Sequence, residues 1–293
     1  MNSLVQRILV EDQRVYGIVV ETGPLRQRQV REIRAAAVVS NADLLQTLER
    51  MVGPEHLDRD YLAAVRKLRP TMPCFLTHLG LVDMPTEVLE RVQGYYWDTW
   101  DAERMDRDGL RFKLFVPTLY EPAMAPPGGH VLIVQKVIDM DYEAVRDWGA
   151  HKADVERGIM DHLKAMIPGI EEKIAVGMSA SALTSQRFTL NHQGAMLGWE
   201  MAPDQLGDQR PDIEGPLDQL YLTGHWVQPG GGITPVIVSA VQAADAVLAA
   251  AGGVRAIAAV RNENAESKKL APAVLGHRDT DGRTFERGRS VGK

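Results

Sequence analysis

The residues best placed to do chemistry lie near the C-terminus, in LYLTGHWVQPGGGITPVIVSAVQAADAVLAA, residues 220–250. The apolar run 220–223 reads as a buried strand, 224–232 as a glycine-rich turn, and the small and apolar residues beyond as a helix. Gly230, Gly231 and Gly232 lack a Cβ, so the backbone can take positive φ there and a ligand can approach closely. The helix that follows turns free N–H groups and the positive end of its dipole toward the same place. Together these parts make a cradle for an anion or a cofactor, although glycine content alone leaves a plain strand–loop–helix equally open. Thr234 reads as the helix N-cap and Pro235 as its first helical residue, with Pro229 stiffening the turn.

Other chemistries find little support. The eight histidines show no H-x-x-x-H or Cys/His spacing, so no metal site is expected. No G-x-S-x-G elbow is present, which weighs against a serine hydrolase. The acidic runs DMDYE and DAERMDRD read as solvated turns. No side chain declares itself as a catalytic acid, base or nucleophile. The single cysteine, Cys74, excludes an internal disulfide and fits a reducing compartment; in the apolar run PTMPCFLTHLG it reads as a buried, inert thiol.

The elements that must position the turn follow from periodicity. VQRILV (5–10) and VYGIVVE (15–21) are β-branched runs around the polar EDQR, a hairpin signal, and a third strand is expected over 32–39. A helix is expected over 42–51, capped by Asn41 or Asp43 and stopped by Gly53 and Pro54, and another over 57–68. Apolar runs at 74–81, 109–120 and 130–137 read as strands, EVLERV as a short helix, and 154–166 as an amphipathic helix ended by Pro168 and Gly169.

The turn GHWVQPGGGI with its small-residue helix resembles the C-terminal FAD motif of the phytoene desaturase and carotenoid isomerase family of flavin oxidoreductases. Two further stretches are similar to that family: AAAVVSNADLLQTLERMVG (35–53), with its strand and SNAD turn, and LTSQRFTLNHQGAMLGWEMAPDQLG (183–207). The resemblance implies a mixed α/β chain, the C-terminal part of a Rossmann-like FAD-binding flavoprotein with an inserted substrate domain. It divides the chain into residues 1–54 of the cofactor domain, a substrate domain over 55–185, a return to the cofactor domain over 186–251, and a disordered tail over 252–293. It implies FAD contacts at Val5, Ser40, Asn41, Gly224, His225, Gly231, Gly232, Ile233 and Thr234, and an apolar polyene or isoprenoid-like substrate drawn from a membrane. Met72, Trp97, Trp100, Met196 and Trp199 could line an apolar tunnel, although plain core is the simpler expectation.

The chain departs from that pattern in one respect. It contains no G-x-G-x-x-G fingerprint to hold the pyrophosphate. The expectation is therefore a C-terminal fragment or split subunit whose N-terminal partner chain carries the fingerprint. The alternatives are a non-catalytic remnant of the fold and an enzyme like the flavin amine oxidases, acting on a polar substrate.

Composition narrows the rest. Of 293 residues, 45% are hydrophobic and 25% charged, as in an ordinary globular protein, and the net charge of −6 argues against nucleic acid as a partner. The start, MNSLVQRILVEDQ, has no signal-peptide pattern, and no run reads as long enough to span a bilayer. A cytoplasmic protein in at most peripheral contact with a membrane is expected.

Overall fold

The computed structural model describes residues 3–24, 27–97, 110–138 and 140–252. Trp100 and the expected tail beyond 252 lie outside them. Contacts group the chain into two compact units, Met1–Val247 and Leu248–Lys293, and the described part of the second is the last turn of a helix and the two residues after it.

Strands β1 (Ser3–Glu11) and β2 (Arg14–Thr22) form the expected hairpin. Asp12 and Gln13 turn it with φ of 47° and 61°, the left-handed pair that matches the twist of the flanking strands. The third strand differs from expectation. Pairing with β2 begins earlier, as β3 (Gln29–Arg34), and the chain then breaks before β4 (Val38–Ser40). The break transfers it to another sheet, where β4 pairs in parallel with β10 (Leu220–Leu222).

After β4 the residues 44–45 are α-helical and Gln46–Val52 winds as a π-helix. Asp43 caps it, accepting from the N–H of Gln46 at 2.9 Å. Helix α1 (Arg59–Arg66) is capped by Asp58. Leu44, Leu48, Leu62, Trp199, Leu220, Trp226 and Val227 then close one core.

A second core lies on a five-stranded antiparallel sheet in the order β6-β7-β8-β5-β9: β5 (Cys74–Val82), β6 (Gly94–Trp97), β7 (Leu110–Phe115), β8 (Gly129–Val137) and β9 (Ile174–Ala180). Burial alternates along β5, so Phe75, Leu79 and Leu81 face inward as the pleat requires. Helices α2 (Thr86–Val92) and α3 (Trp148–Met166) cover this face through Leu89, Ile159 and Leu163. Helix α3 starts earlier than periodicity predicts, because Asp147 accepts from the N–H of Ala150 at 2.9 Å and caps it. The single turn α4 (Ile170–Lys173) and helix α5 (Ala182–Thr189) flank β9.

The last helix among the described residues is α6 (Ile233–Ala250). Contrary to the reading of the sequence, this helix of 18 residues is long and apolar enough to cross a membrane by length and composition, a test that the core helix of a soluble protein also passes. It begins at Ile233, so Gly232 precedes it and Thr234 and Pro235 occupy its second and third positions rather than the cap and the first.

Candidate functional site

Parallel pairing of β4 with β10 brings the SNAD turn beside the glycine-rich turn. The N–H of Thr223 donates to the carbonyl of Ser40 at 3.0 Å, and a Cβ on Gly224 would stand 2.1 Å from Oδ1 of Asn41. Ser40 is held in turn by its hydroxyl, 2.8 Å from Thr47 Oγ1. The third stretch closes the group: Asp43 Oδ2 accepts from the N–H of His192 at 2.7 Å. Ser40 and Asn41 thus meet Thr223 and Gly224 at one end of the β4–β10 pair, and the chain runs on from there through His225 and Gly231 to Gly232, Ile233 and Thr234 at the start of α6. Val5 stands apart, half-buried in the meander and paired with Val20.

The glycines are required by this packing. A Cβ on Gly231 would lie 2.2 Å from the Leu197 carbonyl, and one on Gly230 3.3 Å from Arg210 Cζ. Packing on backbone demands glycine at 231, and a left-handed φ of 125° demands it at 230, so the expected close approach of a ligand is not needed to explain either. Gly232 is left-handed too, with φ of 107°, but a Cβ there would meet only Pro235 at van der Waals distance. The turn also contains a cis peptide bond between Gln228 and Pro229.

Three residues that sequence reasoning passed over hold the site together. Ser239, fully buried on α6, accepts from the N–H of Gly224 at 2.9 Å, lies 3.0 Å from Thr223 Oγ1 and donates to the Val236 carbonyl at 2.8 Å. Arg210, 2% exposed, donates to the carbonyls of Trp199 at 2.7 Å, Glu200 at 3.0 Å and His225 at 3.3 Å. Its Nε is buried without a bond among the described residues. Leu197 supplies the carbonyl against Gly231, and its own N–H donates to Thr71 Oγ1 at 2.9 Å. No spacing in the sequence marks these, because each works through backbone groups distant along the chain.

Replacing Ser239 by alanine strands the buried N–H of Gly224, an orphan that costs about 1–3 kcal/mol. Urea denaturation of Ser239→Ala should show a loss of that size at unchanged m. A change under about 0.5 kcal/mol, the range of ordinary surface substitutions, would deny the tie between turn and helix.

The rings of His225 and Trp226 pack on each other, with centroids 5.1 Å apart and edge-on at 83°. Trp226 packs in turn on Trp199 at 4.6 Å and 75°, and both indoles are buried core. Burial, and the Arg210 guanidinium after it, depress the imidazole pKa of His225. Burial raises that of Asp43, against the bonds from Gln46 and His192. The two act oppositely. As pH falls below the ordinary histidine value of 6.5, the unfolded chain takes up a proton that folded His225 resists, and stability is lost. Asp43 gives its contribution at low pH and loses it as pH rises through its raised value. Between about pH 7 and about pH 5 the melting temperature of His225→Gln should therefore fall less than that of the natural chain. Parallel curves would show that His225 titrates as it does in the unfolded chain.

The helix end is open to a ligand. The first bond of α6 runs from the N–H of Val236 to the Gly232 carbonyl at 3.1 Å. Among the described residues no acceptor meets the N–H groups of Ile233 and Thr234, and Ile233 is 81% exposed. Asn41 and Ala42 are exposed beside Gly224. Free donors, a positive helix end and adjacent exposed backbone fit a cofactor edge carrying carbonyl or phosphate oxygens.

A second feature lies close by. A cavity of about 350 Å³ opens between the sheet and α5, lined by Cys74, Leu76, Gln135, Phe188 and Met196 among others. Met196 precedes the Leu197 that packs on Gly231, so the cavity adjoins the turn along the chain. Cys74 is half-buried rather than buried, and the burial it has pushes its thiol up to about 11.

No protein-family model matches the chain. The lycopene-forming phytoene desaturase of Pseudescherichia vulneris is 24% identical over 257 residues, which cover 82% of this chain and 49% of that protein. The chloroplastic prolycopene isomerase of Arabidopsis thaliana is 26% identical over 240 residues, covering 76% of this chain and 38% of its own. Among solved structures, an oxidoreductase from Methanosarcina mazei superposes with a TM-score of 0.53 at 19% identity, over 82% of this chain and 49% of that one. The resemblance read from three stretches of sequence is borne out, as is the mixed α/β fold class. The chain spans about half the length of the first two relatives or less.

Proposed function

We propose that this chain is the C-terminal part of an FAD-dependent oxidoreductase, a desaturase, isomerase or saturase of a carotenoid, retinoid or other apolar isoprenoid-like substrate. A segment bearing the G-x-G-x-x-G fingerprint, in the same polypeptide or in a partner chain, supplies the rest of the nucleotide site. The observation that carries this is the convergence of all three family-like stretches on one turn, at a helix start whose N–H groups are free.

When bound, the flavin supplies the hydride or electron chemistry, which explains why no side chain here is an obvious acid or base. The protein's own work is positional. Ser40, Asn41 and Gly224 present backbone and amide groups at the end of the β4–β10 pair, and Gly232 to Thr234 offer donors from the start of α6. Ser239 and Arg210 fix the turn. The cavity beside Met196 has room for one end of a long apolar molecule, and Phe188, 80% exposed on α5, forms its lip. We place this lip against the membrane from which such a substrate is drawn, with the bulk of the protein on the cytoplasmic side.

Anaerobic mixing of the flavin-loaded protein with a polyene in detergent, and separately with a primary amine, tests the reading. Bleaching of the flavin, or a changed polyene spectrum, with the first alone is expected. Bleaching by the amine alone would move the chain to the amine oxidase-like alternative, and no response to either would favour a non-catalytic remnant.

A further inference from the structure

The five-stranded sheet has one face closed by α2 and α3, and Phe75, Leu79 and Leu81 of β5 stand on it. The alternate residues of β5, Leu76, His78 and Gly80, stand on the other face, and the register gives their neighbours. Leu76 lies between Gln135 of β8 and Ala180 of β9, and His78 between Ile133 and Met178. Gly80 lies between Val131 and Val176. On β7, Lys113 pairs with Gln135 and Phe115 with Ile133.

An antiparallel sheet with one face on a core ordinarily turns polar residues to water on the other. This one turns Ile133, Phe115, Val176 and Met178 outward, with Val176 61% and Met178 67% exposed. A contiguous apolar strip of this kind marks a binding surface. It also continues a cavity. Leu76, Gln135 and Ala180 line the space of about 350 Å³ between the sheet and α5, and the row of His78 follows two residues on, about 7 Å further. In the next row Val176 Cγ1 leans over Gly80, 2.7 Å from where a Cβ would stand.

The polar groups of the strip differ in what they hold. Gln135 donates to Met196 Sδ at 3.4 Å, and Lys113 Nζ lies 5.1 Å from the Tyr95 ring centroid and 5.9 Å from that of Phe115. His78 is half-buried and has no hydrogen bond, ion pair or ring contact among the described residues. Open to water, its imidazole loses nothing. An apolar molecule laid over the strip would cut the ring nitrogens off from water and leave them unmatched, which is costly. A hydroxyl on that molecule answers either nitrogen, accepting from the protonated one or donating to the bare one.

We propose that the cavity and the strip together bind one isoprenoid-like molecule with a terminal hydroxyl, its head against His78 and its chain in the cavity, and that His78 selects it over the corresponding hydrocarbon. The inference rests on the reading of an apolar isoprenoid-like substrate and narrows that substrate to an alcohol. A polypeptide laid on the strip would leave the cavity empty, whereas one branched carbon chain fills both. A site that offers a hydrogen bond rejects the analogue lacking the partner far better than an apolar pocket rejects an added hydroxyl.

The test measures retention of radiolabelled ligand by the full chain, with geranylgeraniol and with the hydrocarbon of the same skeleton as probes. The alcohol should bind tighter by about tenfold or more. His78→Leu should abolish that preference by weakening the alcohol alone, with the hydrocarbon bound as well as before or better. His78→Gln, which keeps a donor and an acceptor, should retain part of the preference. Both variants should melt like the natural chain, since His78 bonds to nothing else among the described residues. Equal binding of the two probes by the natural chain, or a preference that survives His78→Leu, overturns selection by His78 and leaves the isoprenoid reading standing. Binding of neither probe overturns both, and gives the strip to a polypeptide or a membrane instead.

Discussion

Gly198→Ala should destabilise the chain by about 2–5 kcal/mol, through overpacking together with a left-handed backbone. Gly198 has φ of 75°, and a Cβ there would lie 2.2 Å from the His225 carbonyl oxygen and 2.6 Å from its carbon. Both obstacles are backbone, so no rotamer change relieves them. The carbonyl of Gly198 also accepts from Thr71 at 2.7 Å, which prevents the segment from swinging away. Gly207→Ala is the control, with φ of 58° and open space where its Cβ would go. Urea midpoints should fall far more for the first than for the second. Equal shifts would mean that positive φ alone, and not the contact with His225, governs the site.

Trp199→Ala should cost about 3–5 kcal/mol, the range for removing a large aromatic from a packed core. Trp199 has no exposed surface and meets Trp226 edge-on at 4.6 Å. Its carbonyl receives Arg210, so a collapse around the cavity would disturb the strut beneath His225. Trp199→Phe should be much milder than the alanine variant. The indole Nε1 is buried without a hydrogen bond among the described residues, so phenylalanine removes an unsatisfied donor as well as volume. Calorimetric melting of the two variants checks this. A phenylalanine variant as damaged as the alanine one would show that the indole nitrogen has a partner.

Much of this was legible in the residues. The hairpin, α2, β5 and the strand–turn–helix at the C-terminus follow from period and turn chemistry, because those signals are local. The split of the expected strand over 32–39 into β3 and β4 was not, since both halves are extended and only their partners differ. The start of α6 slipped by two residues because Gly232 took the position before the helix that threonine would ordinarily fill. The glycines show the limit most clearly. Their number announced a special turn, but the cause at Gly231, the Leu197 carbonyl 2.2 Å from where a Cβ would stand, comes from a residue far back along the chain. Ser239 and Arg210 were silent for the same reason: a serine in an apolar helix and an arginine before a proline have many ordinary explanations.

The most direct test of the account is flavin content. The chain is purified alone and together with any coding sequence found directly upstream, and the absorbance of released FAD is compared with protein concentration. The account predicts a colourless chain alone and about one FAD per protein when the upstream segment is present, as a nucleotide site shared with a fingerprint-bearing segment requires. Stoichiometric FAD on the chain alone would contradict the shared site. No FAD in either preparation would contradict the flavoenzyme reading itself.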